Sequence, residues 1–106
     1  MKESPNLEYI EELSGGDKAF KDKLISIIKK EFPQEELIYK TNLASKNYVQ
    51  VAGNVHKIKH KISILGLVKS YELAEKYEHE LLENKTDLKE EFESILAKIK
   101  LFLEQL

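Results

Sequence analysis

The 106 residues of this chain suit one domain, residues 1–106, and 42% hydrophobic with 34% charged residues is typical of a globular protein with a packed core. The absence of cysteine excludes disulfides, thiolate metal sites and cysteine nucleophiles, and the absence of arginine argues against nucleic acid as a partner. No apolar run approaches the roughly 20 residues that span a membrane, and no signal-peptide pattern is present, so we expect a cytoplasmic protein without membrane association.

The first half of the chain predicts two helices. Apolar residues at helical spacing indicate a short first helix that ends at Ser14-Gly15-Gly16, and Asp17 is a suitable N-cap for the second. Apolar spacing continues past Pro33, which predicts one long helix, kinked at the proline, that reaches about Ser45. The inner face of this second helix is predicted to contain Phe20, Leu24, Ile27 and Ile28.

Three further helices are predicted in the second half. The third runs from about Val49 to Leu65 and ends at Gly66, which suits a left-handed residue. The fourth covers about Leu67–Leu82, and the pair Asp87 and Glu90 is typical of a capping box that opens the last helix. Short connections favour an antiparallel up-and-down four-helix bundle with a short extra N-terminal helix, an all-α fold.

The charge of the chain is unevenly distributed. No Asp or Glu occurs between Leu37 and Tyr71, whereas this window holds six lysines and two of the three histidines. Either the segregation is accidental in a chain rich in Lys and Glu, or the window supplies a local positive field for an anionic group or an acidic partner.

The third helix combines a core stripe with a separate polar arc. Its apolar residues fall within about 80° of arc, as expected of a narrow buried stripe. The polar residues on the other arc place two imidazoles outside the core. The core stripe is Val51, Val55, Ile58, Ile62 and Leu65, and the polar arc is His56, Lys59, His60 and Ser63.

An exposed imidazole on such an arc has a specific chemical capacity. A neutral imidazole is nucleophilic near neutral pH and holds a phosphoryl group as a labile phosphoramidate. Lys59, one turn beyond His56, could offset the charge of the phosphoryl oxygens. A histidine with a lysine three residues later is also common on solvated helix surfaces, so this pair alone is a weak signal.

The wider pattern resembles the histidine-containing phosphotransfer (HPt) family. The run Val55-His56-Lys57-Ile58-Lys59, followed by Gly66 ten residues after His56, is similar to the signature of that family. Gly15-Gly16-Asp17 looks like the entry to its long helix. The resemblance extends to the next helix, where HPt domains have apolar, small, apolar and acidic residues at the positions of Leu73, Ala74, Tyr77 and Glu78.

The resemblance implies a phosphorelay intermediate that takes a phosphoryl group from the aspartate of one receiver domain and passes it to another. His56 would be the phospho-acceptor and Lys59 would stabilise the phosphoryl group. The receiver would supply magnesium and the transfer-site aspartates, so we expect a monomeric carrier with no metal or cofactor of its own and no autonomous kinase activity. The residues expected to contact the partner are Lys57, His60, Lys61 and Ser63.

The chain departs from the family pattern next to the acceptor. HPt domains usually have glycine four residues after the histidine and a small polar residue after it, whereas this chain has His60 and Lys61. The glycine gives the partner clearance. Here the His60 side chain swings aside, or the partner is adapted to it and His60 contributes a hydrogen bond, or the domain has lost activity.

Two other classes of function stay open at this point. His56 and His60 are four residues apart on one helix face, so they could both reach one zinc or nickel ion in a metal-binding bundle. Alternatively, the bundle could be an adaptor without chemistry, with tyrosines as interface anchors or as residues at the edge of the core. The tyrosines are Tyr9, Tyr39, Tyr48, Tyr71 and Tyr77.

Overall fold

A computed structural model describes residues 3–106, and these residues form five helices and no strand. Helices α2 to α5 close into a bundle in which α2 contacts α3, α3 contacts α4, α4 contacts α5 and α5 contacts α2. The short α1 packs against α2. The predicted all-α bundle with a short N-terminal helix is confirmed. The helices are α1 (Glu8–Ser14), α2 (Lys18–Ala44), α3 (Tyr48–Ile64), α4 (Val68–Leu82) and α5 (Lys89–Glu104).

Two of the predicted helix ends depend on glycine or on a side-chain cap, as expected. Gly15 ends α1 in the left-handed region with φ 57°, and the carboxylate of Asp17 accepts a hydrogen bond of 3.1 Å from the Phe20 N–H. Gly66 follows α3 with φ 77°, and a Cβ there would lie 2.6 Å from the Asn6 side chain. Gly66 is therefore required by its backbone conformation, whereas the end of the Asn6 side chain could move to admit a Cβ.

The long second helix passes through Pro33 without a break, as predicted, but part of its predicted inner face is wrong. Leu24 and Ile28 face the bundle, whereas Phe20 and Ile27 are exposed. The reason is the face of the helix. Ile28, Phe32 and Tyr39 form the buried stripe of α2, and at about 100° per residue Phe20 and Ile27 lie roughly 100° or more from its centre.

The predicted capping box of the last helix is also wrong. Helix α5 begins at Lys89, after Leu88 at the N-cap position, and no side chain of its own caps it. The Leu88 N–H instead donates a hydrogen bond of 2.7 Å to the carboxylate of Glu80 on α4. A residue from the neighbouring helix thus satisfies one backbone donor at the start of α5, whereas a capping box would have paired the Asp87 side chain with the Glu90 N–H.

Two tyrosines join three helices inside the core. Tyr39 of α2 and Tyr77 of α4 are fully buried with hydroxyl oxygens 2.7 Å apart, and the Tyr39 hydroxyl donates to Glu93 of α5 at 3.1 Å. Since a carboxylate only accepts, the Tyr77 hydroxyl donates to that of Tyr39. Burial raises the pKa of both phenols, that of Tyr77 to about 12. These two tyrosines connect helices through hydrogen bonds inside the core, and they do not lie at the edge of the core as expected.

The N-terminal segment caps α4 from a distance. Helix α4 has no acidic residue in its first turn and no side-chain cap from its own N-cap residue. The Glu3 carboxylate accepts hydrogen bonds of 2.8 Å from the N–H groups of Lys69 and Ser70. Partial burial acts to raise the pKa of Glu3, but these hydrogen bonds outweigh it and leave the pKa below its ordinary value.

Candidate functional site

The predicted core stripe of α3 is confirmed, since all five of its residues are fully buried. His56, on the other arc, is exposed, with 54% of its side-chain surface accessible. The backbone around it is regular helix, so the position of the imidazole follows from its place in the 3.6-residue repeat.

One carboxylate from α4 joins the two residues that the sequence singled out. Glu78 accepts a hydrogen bond from the Lys59 ammonium at Oε1, 3.1 Å away, and its Oε2 lies 3.2 Å from His56 Nδ1. Glu78 belongs to the face of α4 that meets α3, and 22 residues separate it from His56. The resemblance had identified an acidic residue at position 78 but not its contacts, which arise only when α3 and α4 pack together.

Lys59 is more buried than the polar arc predicted. Only 9% of its side-chain surface is accessible, and its ammonium lies 5.4 Å from the centre of the Tyr71 ring, as well as beside Glu78. Its stem covers the contact between α3 and α4, and its charge is compensated by the carboxylate. The prediction of an outer polar arc therefore holds for His56, His60 and Ser63, which are exposed, and is wrong for Lys59.

The contact with Glu78 selects one form of the neutral His56 ring. A carboxylate accepts hydrogen bonds, so Nδ1 carries the proton that bonds to Glu78. In the neutral imidazole the lone pair then belongs to Nε2. The arrangement therefore provides an exposed imidazole with a nucleophilic Nε2 and a carboxylate held against the opposite ring nitrogen.

The residues around His56 differ in their accessibility. The His60 ring lies edge-to-face on that of His56, with centroids 5.1 Å apart, and it is exposed, as are Lys57 and Ser63. These three predicted partner contacts are therefore accessible on the outer surface of α3.

Lys61 belongs to a different part of the molecule. Its ammonium contacts Glu35 at 2.9 Å and Glu31 at 3.0 Å, both on α2, and only 10% of its side-chain surface is accessible. Burial acts to lower the pKa of Lys61, but the hydrogen bonds to Glu35 and Glu31 outweigh it and raise the pKa above its ordinary value. The structure thus separates Lys61 from His56.

The positive field expected of the acid-free window is reduced in the folded chain. Helices α2 and α4 bring carboxylates to Lys59 and Lys61, and Lys40 lies 3.6 Å from Glu36. Lys46, Lys57 and Lys69 are exposed. A window without acidic residues in sequence is therefore not free of them in space.

Two further observations bear on the alternatives. Within residues 3–106 no group of three or more His, Asp or Glu side chains is arranged to hold a metal ion. Over the same residues, no helix has both the length and the apolar character needed to cross a membrane.

Comparison with models of protein families, with curated proteins and with solved structures finds no match to this chain. The functional proposal therefore rests on the geometry of the site.

Proposed function

We propose that this chain is a histidine phosphotransfer protein of a phosphorelay. His56 accepts a phosphoryl group from the aspartyl phosphate of one receiver domain and delivers it to the aspartate of another. The observation that carries this proposal is the shared carboxylate of Glu78, which contacts exposed His56 on one oxygen and the Lys59 ammonium on the other. A histidine that is only solvated surface does not require a carboxylate that also binds a lysine.

The transfer step follows from the proton on Nδ1. The Nε2 lone pair of His56 attacks the phosphorus of the aspartyl phosphate, and the N–P bond forms as the bond between phosphorus and the carboxylate oxygen breaks. The aspartate leaves with the electron pair. The proton stays on Nδ1, so the product is a phosphorylated imidazolium whose positive charge faces Glu78 at 3.2 Å. The reverse of this step loads the second receiver.

Lys59 supplies the positive charge for the phosphoryl oxygens. Its ammonium has three N–H donors, and Glu78 accepts from it at 3.1 Å. The contact with Glu78 already restricts the Lys59 ammonium, so it loses little conformational entropy when it donates to a phosphoryl oxygen. Its contribution to phosphoryl transfer is therefore larger than that of a mobile surface lysine.

The remaining components belong to the partner. In this proposal the receiver supplies magnesium and the acidic transfer site, and the chain described here is a carrier without autonomous kinase activity. The exposed side chains of Lys57, His60 and Ser63 surround His56 and contribute to the contact with the receiver. Phosphorelay proteins of this kind act in the cytoplasm.

The test is phosphoryl transfer to variants of the two neighbouring imidazoles. Wild-type protein incubated with a radiolabelled phosphorylated receiver should acquire acid-labile, base-stable phosphate, His56→Gln should acquire none, and His60→Gln should still be labelled. Circular dichroism checks that each variant is folded. Label that persists in His56→Gln and disappears in His60→Gln would show that His60 is the acceptor, and an unlabelled wild type would refute the proposed function.

A further inference from the structure

The surface on the two sides of His56 along α3 is unequal. Gly53 lies three residues before His56 and His60 lies four residues after it, so the two flank the imidazole on the same helix face. On the N-terminal side Gly53 has no side chain. On the C-terminal side the His60 imidazole packs against the His56 ring, with centroids 5.1 Å apart. A partner that needs clearance beside His56 finds it on the N-terminal side.

No contact within residues 3–106 explains why position 53 is glycine. It lies in the interior of α3, where glycine is a poor helix former, and it is not among the glycines with positive φ. Apart from the adjoining backbone of α3, a Cβ added to Gly53 would meet no atom of the described residues within 4 Å. Gly66, by contrast, is required by its φ of 77°. The bare backbone at Gly53 therefore matters only to something that approaches from outside.

On this side of His56, helix α3 exposes an apolar residue and has no acidic residue of its own. Val49, one turn before Gly53, has 68% of its surface exposed and shares the face of Gly53 and His56. Side chains of a helix lean towards its N-terminus, but the His56 imidazole leaves Gly53 uncovered, since none of its atoms lies within 4 Å of a Cβ placed there. A carboxylate-lined receiver pocket meets no acidic residue of α3 here, and exposed Lys57 lies beside His56.

We propose that the receiver docks over Val49 and Gly53, on the N-terminal side of His56, and that Gly53 is the residue that lets its backbone approach the phosphoryl acceptor closely. This inference rests on the proposed function. It assigns to Gly53 the clearance that HPt domains have four residues after the histidine, where this chain has His60. Gly53 is thus a specificity-determining residue for the partner, not a catalytic residue.

The test compares two phosphoryl donors on variants of the full chain. One donor is a phosphorylated receiver domain that transfers to the wild type, and the other is phosphoramidate, from which Nε2 displaces ammonia without protein docking. Gly53→Leu should lower the rate from the receiver about 100-fold, since a displacement of about 1 Å costs that much, and should leave the rate from phosphoramidate unchanged. Gly53→Ala should show the same selectivity with a smaller loss.

The controls separate docking from folding. Gly53→Ala should raise the thermal midpoint, because alanine is the better helix former, so slower transfer in that variant does not arise from unfolding. Ala97 is also a small exposed residue, on α5, and Ala97→Leu should leave both rates unchanged. His60→Gly should change the receiver rate less than Gly53→Leu does.

The outcomes distinguish this inference from the proposed function. If Gly53→Leu accepts phosphate from the receiver as fast as the wild type, the docking inference is wrong while the phosphorelay function stands. If Gly53→Leu is neutral and His60→Gly accelerates transfer, the receiver approaches from the C-terminal side instead. A wild type that accepts phosphate from neither donor contradicts the proposed function itself.

Discussion

Lys59 and Lys61 lie two residues apart on one helix, yet they meet different neighbours. Both side chains are about nine-tenths buried and both ammonium groups contact carboxylates, but Lys59 contacts Glu78 of α4 and Lys61 contacts Glu31 and Glu35 of α2. Two residues correspond to 200° around a helix, so the lysines lie against opposite neighbours of α3. Only Lys59 shares its carboxylate with His56.

The comparison shows that burial and charge pairing do not by themselves mark a functional lysine. The Lys61 cluster has two carboxylates, and one oxygen of Glu35 is buried without a hydrogen-bond partner in the described part of the chain. Its role is to connect α3 with α2. Lys59 differs because its partner also touches an exposed nucleophile, so loss of each lysine should have a different consequence.

The largest effect is expected from Lys59→Met on phosphoryl transfer. Removal of a charged donor beside the transferred group should slow loading of His56 by about 10- to 100-fold. Glu78 keeps its contact with His56, so the free energy of unfolding should fall by only about 1 kcal/mol. Rapid-quench transfer from a labelled receiver and urea denaturation measure the two quantities. A variant that transfers at the wild-type rate would mean that Lys59 only connects α3 with α4.

Lys61→Met should lower stability strongly and phosphoryl transfer little. It leaves the carboxylates of Glu31 and Glu35 without their cation, and the free energy of unfolding should fall by about 2 to 3 kcal/mol, less than for a fully buried pair because Glu31 is half exposed. Lys57→Met, on the exposed surface of the same helix, should change stability by less than about 0.5 kcal/mol.

The pH dependence of the Lys61 cluster gives a second measurement. The pKa of Lys61 is raised in the folded chain, so its stabilisation is complete below the unfolded value and is lost as the pH rises through the higher folded value. The stability difference between wild type and Lys61→Met should therefore shrink at strongly alkaline pH. A difference that is constant up to that range would contradict the assignment of the raised pKa to this ion cluster.

The smallest effect on stability is expected at Glu3. Its carboxylate is also positioned by tertiary structure, but it accepts hydrogen bonds from backbone N–H groups and not from a lysine. Glu3→Gln should lower stability by about 0.5 to 1 kcal/mol at neutral pH. The folded pKa of Glu3 is depressed, so the difference should be full above the unfolded carboxyl value and vanish as the pH falls through the folded value. Denaturation at several pH values measures it, with exposed Glu12→Gln as the control. Equal loss in both variants would contradict a specific cap on α4.

Much of the helical framework could be predicted from local pattern. The buried stripe of α3, the Asp17 cap, the continuity of α2 through Pro33 and the left-handed Gly66 each depend on residues within one or two turns of each other. Two of the errors have a common cause. Lys59 and the start of α5 depend on which neighbouring helix is present at that position, and periodicity along one helix does not contain that information. Phe20 is a different error, because it lies beside the stripe formed by Ile28, Phe32 and Tyr39.

The sequence by itself determined that this protein is a helical bundle with an accessible imidazole at His56, because helical periodicity separates an apolar stripe from an outer arc. Only the tertiary structure decided how that imidazole is held. Glu78, Glu31 and Glu35 lie outside the acid-free window, and packing of α4 and α2 against α3 brings them to His56, Lys59 and Lys61. Buried charges require partners, and the fold supplies these from residues far apart in the chain.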